Sequence, residues 1–129
     1  MNLESPKVNV DKSAQQLFDS LTNVKNFEKL MPDTIVKFEA INDSEFVFGL
    51  KGMPEIKLRI KEKIAPQKIV YSAVNDKLPF TLTANINDLD GKSQIQLLFE
   101  GQFNAMMGMM IKGPISKFME TLTGNMNKL

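Results

Sequence analysis

The sequence predicts an α+β fold in which a seven-stranded antiparallel sheet packs against a long C-terminal helix. Three observations support this prediction. Apolar residues recur with helical spacing in residues 14–31, alternate with polar residues over residues 34–103, and return to helical spacing in residues 115–129. Short turns between the alternating segments favour antiparallel pairing, which leaves one sheet face exposed and requires the other to be covered.

Two short helices are predicted between the first strand, at residues 3–10, and the second. Ser13 with Gln16 forms a capping box, which satisfies two backbone amides at the start of the first helix. Asn23 ends that helix and caps the next one. Pro32 stops the second helix, because the residue before a proline disfavours helical backbone.

Six further strands follow, and turn residues such as Asp90-Gly91, typical of hairpins, separate them. Their inward positions are predicted from the alternation. In the second strand these are Val36, Phe38 and Ala40; in the fourth they are Ile56, Leu58, Ile60 and Ile64, with Lys57, Arg59, Lys61 and Lys63 on the outer face.

The C-terminal helix is the predicted cover of the sheet. Gly113-Pro114 is typical of a helix entry, because proline at the first helical position loses no hydrogen bond. Residues 104–112 are predicted to form a separate turn or short helix. No linker, repeat or low-complexity tract interrupts the sequence, so residues 1–129 are predicted to be a single domain. Apolar residues recur at helical spacing at Ile115, Phe118, Met119, Leu122, Met126 and Leu129.

The composition excludes several kinds of chemistry. With no Cys and no His, the chain has no disulfide, thiolate metal site or cysteine nucleophile, and it lacks the commonest general base and metal ligand. A net charge of +1 argues against a strongly electrostatic nucleic-acid binder. The nine methionines include six between residues 106 and 126. Methionine suits a surface that repacks around varied apolar shapes, although it also fills gaps in ordinary cores.

The N-terminal quarter of the chain carries a family resemblance. Residues 8–14 lead into Leu17-Phe18, and residues 27–32 end in Leu-Met-Pro. With the order of the elements, these segments resemble the START-like or Bet v 1-like superfamily, also called SRPBCC or polyketide cyclase/dehydrase-like proteins. The resemblance implies a helix-grip fold, in which a curved sheet wraps around the C-terminal helix and a cavity between them holds apolar molecules such as lipids, sterols, polyketides or quinones.

The predicted function is binding of a hydrophobic or lipid-like small molecule between the last helix and the sheet, without catalysis. The same side chains also suit plain core packing, and that alternative stays open here. Tyr71 is the only tyrosine and a candidate polar anchor. The predicted ligand-contacting residues are Phe38, Phe48, Leu58, Tyr71, Leu82, Phe99, Met107, Met110, Phe118, Met119 and Leu122.

Two other functions are open on the sequence. The cationic row Lys57, Arg59, Lys61 and Lys63 would dock an acidic protein, as the resemblance to chaperone activators and ribosome-associated proteins implies. A cyclase- or dehydrase-like enzyme is the third possibility, with acid–base work left to Asp, Glu, Lys or Tyr. We expect no cofactor, metal, nucleic-acid partner or membrane-spanning segment. Because the N-terminus carries no secretory signal, we expect a cytoplasmic protein.

Overall fold

The computed structural model describes residues 1–53, 55–74 and 79–129. The predicted α+β helix-grip architecture is confirmed: an antiparallel sheet with a long C-terminal helix and two short helices near the N-terminus. The sheet order is β1-β8-β7-β6-β5-β4-β3, and β2 also pairs with β8. The strands are β1 (Asn2–Glu4), β2 (Val8–Val10), β3 (Ile35–Ala40), β4 (Glu45–Leu50), β5 (Ile56–Ile64), β6 (Lys68–Ala73), β7 (Phe80–Asp88) and β8 (Ser93–Gly101).

The first predicted strand is two short strands, which raises the number of strands in the described part of the chain to eight. Between β1 and β2, Pro6 has no amide hydrogen to donate and interrupts the pairing with β8. Ser5 holds the bend against β8: its buried hydroxyl accepts from the Leu97 amide at 2.8 Å, and its own amide donates to the Leu97 carbonyl at 2.9 Å. Both segments therefore remain on the edge of the same strand.

The two short helices form as predicted. α1 (Ala14–Thr22) begins with the capping box of Ser13 and Gln16. A 3₁₀ helix (Val24–Leu30) follows, and the Asn23 side chain accepts from the Lys25 amide at its start. Their apolar faces cover one end of the concave side of the sheet, where α1 packs against β6, β7 and β8.

The predicted entry of the last helix at Gly113-Pro114 is wrong. A continuous helix, α2 (Ala105–Gly124), includes the segment predicted as a separate turn or short helix and carries Pro114 in its interior. The cap is Asn104, whose side-chain oxygen accepts from the Met107 amide at 2.8 Å. The helix passes through Pro114 at the cost of one backbone hydrogen bond, the one that would reach the carbonyl of Met110. A short 3₁₀ turn (Met126–Lys128) ends the chain.

Two predicted inward positions are wrong because the strands are bulged. The pairing of β3 with β4 skips Val36, so Ile35 takes the inner position and Val36 is 70% exposed. The pairing of β5 with β6 likewise skips Lys61, and beyond it the alternation is reversed. Ile64 then pairs with Lys68 on the outer face and is 44% exposed.

The same bulge breaks the predicted cationic row. Arg59 lies opposite Ser72 on the outer face, whereas Lys63 lies opposite Ile69, which is fully buried on the concave side. Side chains of directly paired residues point to the same face of a sheet. The prediction of four cations on one face is therefore wrong. In addition, the Lys57 ammonium is paired with Glu45 at 3.3 Å.

Candidate ligand-binding site

The interior between the concave face and the helices has two ends of different character. We call the first the closed end: Phe27 of the 3₁₀ helix stacks on Phe46 at 4.7 Å and meets Tyr71 edge-on at 5.0 Å between ring centroids. The Tyr71 hydroxyl donates to the Leu21 carbonyl at 2.9 Å. Burial raises the pKa of this hydroxyl, which keeps it protonated. Because the hydroxyl proton is donated to α1, Tyr71 has a structural role at this end: it links β6 to α1.

The second end lies beneath α2 and contains two small apolar cavities. Each has a volume of about 10 Å³. Both are bounded by Ile56, Phe80, Phe99 and Ile115, so they adjoin one another. The first is also lined by Phe48, Leu58, Leu82, Phe118 and Met119, and the second by Met53, Phe103 and Ile111.

The half-buried residues Met53, Phe103 and Ile111 form what we call the mouth, where the interior approaches the surface. Phe103 lies directly over Gly101, where a Cβ atom would come within 2.8 Å of the ring Cζ. Its ring is parallel to that of Phe99 at 6.1 Å. The absence of a side chain at Gly101 therefore lets Phe103 close the mouth.

The cavities are too small to hold an organic ligand in this conformation. About 10–15 Å³ accommodates a single water molecule, whereas ligand pockets measure roughly 300–1,000 Å³. Their walls are aliphatic, aromatic and thioether side chains throughout. Such a space is dry, and its enlargement requires that some wall element moves.

The first half of α2 is a wall element with little buried surface of its own. Its exposed methionines are Met106 (75%), Met109 (83%) and Met110 (67%). All five fully buried residues of this helix lie at or after Ile115. The helix is therefore anchored by its second half, while its first half rests on the half-buried Met107 and Ile111.

The predicted ligand contacts fall into several places in the structure. Six of them line the first cavity: Phe48, Leu58, Leu82, Phe99, Phe118 and Met119. Tyr71 lies in the closed end, and Phe38 is half-buried on β3 beside Phe46, at 5.6 Å. Leu122 is buried further along α2, and Met107 is half-buried. Met110 is exposed on the outer side of the helix, away from both cavities.

The predicted ligand contacts do not include the residues at the mouth or three residues shared by the cavities, Ile56, Phe80 and Ile115. Ile56 was identifiable two positions before Leu58 on the same strand face. Ile111 and Ile115 were identifiable by helical spacing from Met119 once the helix is known to begin at Ala105. Met53 lies outside the strands and helices, so no periodicity marks it, whereas Phe103 lies two positions beyond the end of β8, at the limit of the alternating segment.

No titratable side chain is among the described residues that line the two cavities. Glu45 has a pKa lowered by a hydrogen bond from Asn42 and by the Lys57 ammonium, and it lies on the outer face opposite Arg59. Among residues 1–53, 55–74 and 79–129, no three acidic side chains cluster as metal ligands would. Within those same ranges no helix is sufficiently long and apolar to cross a membrane.

Solved structures of similar shape identify the fold. A START superfamily protein from Mycobacterium smegmatis matches with a TM-score of 0.74 and 15% identity, over 98% of this chain and 94% of that one. This chain has the START-like fold. Norcoclaurine synthase from Thalictrum flavum, a point mutant in complex with a transition-state analogue, matches with a TM-score of 0.73 and 11% identity, over 99% and 94% of the two chains.

A third similar structure is the Aha1 dimer from Colwellia psychrerythraea, with a TM-score of 0.61 and 7% identity, over 93% of this chain and 96% of that one. No family model matches the sequence, and no curated protein matches it significantly. At these identities the likeness establishes the architecture, and the function must be argued from the residues of this chain.

Proposed function

We propose that this protein binds an apolar small molecule between α2 and the concave face of the sheet, without catalysing a reaction on it. The observation that carries the proposal is the pair of adjoining cavities, lined throughout by apolar side chains and reaching the surface at the mouth. Pockets for small molecules are mostly apolar with few polar groups.

Binding proceeds by outward movement of the first half of α2. Pro114 supplies no amide hydrogen, so the helix lacks a hydrogen bond at the boundary between its anchored and its exposed half. Gly108 and Gly113 further weaken the first half, because glycine costs about 1 kcal/mol relative to alanine inside a helix. The half of the helix that covers the mouth is thus the half that opens at the lower free-energy cost.

Apolar burial supplies the affinity. A ligand that buries about 300 Å² of apolar surface gains about 7 kcal/mol at about 25 cal/mol per Å². Part of this gain offsets the displaced contacts of Ile111 and Phe103 and the lost freedom of the ligand. The flexible side chains of Met53 and Met107 adapt the opened wall to ligands of different shape.

The absence of catalysis is proposed from the lining. No Asp, Glu, Lys or Arg is among the described residues that bound the two cavities. General acid–base catalysis needs such a group within hydrogen-bonding reach of the reacting atom. The similar norcoclaurine synthase structure was solved in complex with a transition-state analogue, which supports a small-molecule site on this fold.

Two neutral apolar probes test the proposal: Nile red, followed by its fluorescence, and decanol, followed by native mass spectrometry. We expect saturable binding of both to the wild-type chain. Ile111→Trp fills the mouth and should weaken binding at least about tenfold. Ile41→Trp is the matched control, because Ile41 is 45% exposed in the turn between β3 and β4. Absence of binding to the wild type, or equal binding by the two tryptophan variants, contradicts the proposal.

A further inference from the structure

A groove lined by three lysines lies beside the mouth. It has a volume of about 540 Å³, and Lys51, Lys117 and Lys128 contribute its cations while Asp33 contributes its single carboxylate. We call it the lysine groove. The whole chain carries a net charge of only +1, so positive charge is concentrated here.

The three ammonium groups are available to a ligand. Ion pairs within the described part of the chain join Lys37 to Glu55, Lys57 to Glu45 and Lys92 to Asp11, and so involve other lysines. Lys51, Lys117 and Lys128 are all exposed. A groove of this size with a charge excess of one sign attracts the opposite charge from solution.

The lysine groove and the mouth share a wall. Met53 borders both the groove and the second apolar cavity. On α2, Pro114 and Lys117 line the groove, while Ile111 and Ile115 of the same turns line the cavity. The floor of the groove is itself partly apolar, since it includes the buried Met31 and Leu50. The polar and apolar surfaces are therefore continuous.

We propose that the ligand is an anionic amphiphile, with an acidic head group in the lysine groove and an apolar chain that passes Met53 into the space beneath α2. This inference rests on the proposed function and names the class of its ligand. A lysine ammonium acts as a point charge, which suits a carboxylate or a phosphate without bidentate geometry. The head group sets the orientation, and the chain supplies most of the affinity.

The opening of the first half of α2 is consistent with this arrangement. Lys117 lies just beyond Pro114, in the anchored half of the helix, so it keeps its place when the first half moves. Lys51 lies in the turn that directly follows β4, and Lys128 lies in the terminal 3₁₀ turn. The cations therefore form a fixed binding point for the head group of the ligand. The first half of α2, beside them, moves outward to admit the apolar chain of the ligand.

The test compares decanoate with decanol, which have the same chain length and differ in charge. At low ionic strength we expect decanoate to bind about tenfold more tightly, which corresponds to about 1.4 kcal/mol. Because the lysines are exposed, added salt should reduce this preference. The variant Lys51→Gln/Lys117→Gln/Lys128→Gln should lose the preference while its affinity for decanol is unchanged.

A matched charge control separates the groove from general electrostatics. Arg59→Gln/Lys61→Gln/Lys63→Gln removes the same amount of charge from exposed positions on β5. We expect it to keep the preference for decanoate. If both triple variants lose the preference equally, the head group is not held in the lysine groove and the inference is wrong.

Two further outcomes distinguish this inference from the proposed function. Equal affinity of the wild type for decanoate and decanol overturns the anionic head group and leaves apolar binding intact. Binding of neither probe overturns both.

Acetate and inorganic phosphate serve as head groups without an apolar chain. We expect neither to compete with decanoate at comparable concentration, and strong competition by either assigns the groove to a free anion and overturns the amphiphile.

Discussion

The closed end and the mouth of the same interior are built from similar residues and differ in how they are held. At the closed end, Phe27, Phe46 and Tyr71 are covered by two helices and tied by a hydrogen bond to α1. At the mouth, Phe103 and Ile111 are half-buried, and Ile111 belongs to the first half of α2, which has no fully buried residue. The core and the candidate site share an apolar composition. They differ in how deeply their residues are buried.

The contrast between well-covered and thinly covered parts of the interior is tested most strongly by replacing methionine with alanine at two positions of α2. Met119→Ala removes a fully buried side chain and should lower the free energy of unfolding by about 2–5 kcal/mol. Met109→Ala removes a side chain that is 83% exposed and should change it by at most about 0.5 kcal/mol. Chemical denaturation measures both. A similar cost for the two changes would contradict the description of a half-anchored α2.

A second test acts on the mouth through Gly101. Gly101→Ala places a methyl group against the Phe103 ring and should cost about 1–3 kcal/mol of stability while it displaces that ring. Displacement of Phe103 uncovers the second cavity, so Nile red should bind more tightly. The double variant Gly101→Ala/Phe103→Ala is the control. Its cost should fall below the sum of the two single costs, and simple additivity would show that the ring is not what the methyl group meets.

The closed end is tested by Tyr71→Phe, which leaves the Leu21 carbonyl without its hydrogen-bond donor. We expect a loss of about 1–2 kcal/mol near neutral pH. Binding of decanol should be unchanged, because Tyr71 does not line either cavity. A large loss of binding with little loss of stability would instead make Tyr71 a ligand contact.

The difference in unfolding free energy between the wild type and Tyr71→Phe should depend on pH, and the sign of this dependence is definite. Burial raises the pKa of Tyr71 above the value of about 10 for an unfolded tyrosine. The contribution of the group is therefore fully present below pH 10 and is lost as the pH rises further, because the unfolded chain then releases a proton that the folded chain keeps. The stability gap between wild type and Tyr71→Phe should narrow above pH 10. Since Tyr71 is the only tyrosine, its ultraviolet absorbance reports its ionisation directly.

The smallest expected effect is that of Pro114→Ala, which restores a hydrogen-bond donor at the boundary within α2. We expect the one restored backbone hydrogen bond to contribute roughly 1 kcal/mol and to slow hydrogen exchange of the amides in the first half of the helix. Binding of decanol should also become slower. Gly113→Ala is the control, since it improves helix propensity without adding a donor. Equal slowing by both variants would show that helix propensity, and not the missing bond, controls opening.

The sequence by itself determined the order of the elements, the capping residues and most of the inward face. Ser13, Gln16 and Asn23 act on their own neighbouring amides, so local chemistry was sufficient to place them. The alternation in β7 and β8 was reliable because those strands pair without a register shift. One face of each strand is buried, which makes the period of two strict.

Only the tertiary structure decided where α2 begins, which positions are bulged, and which residues meet at the mouth. Pro114 is compatible with either a helix start or a helix interior, and the choice depends on the packing of residues on both sides of it. Val36, Lys61 and Ile64 depend on register against a neighbouring strand, which no single strand encodes. The lysine groove unites residues from β4, α2 and the chain end, and such convergence over long sequence separations exists only once the chain has folded.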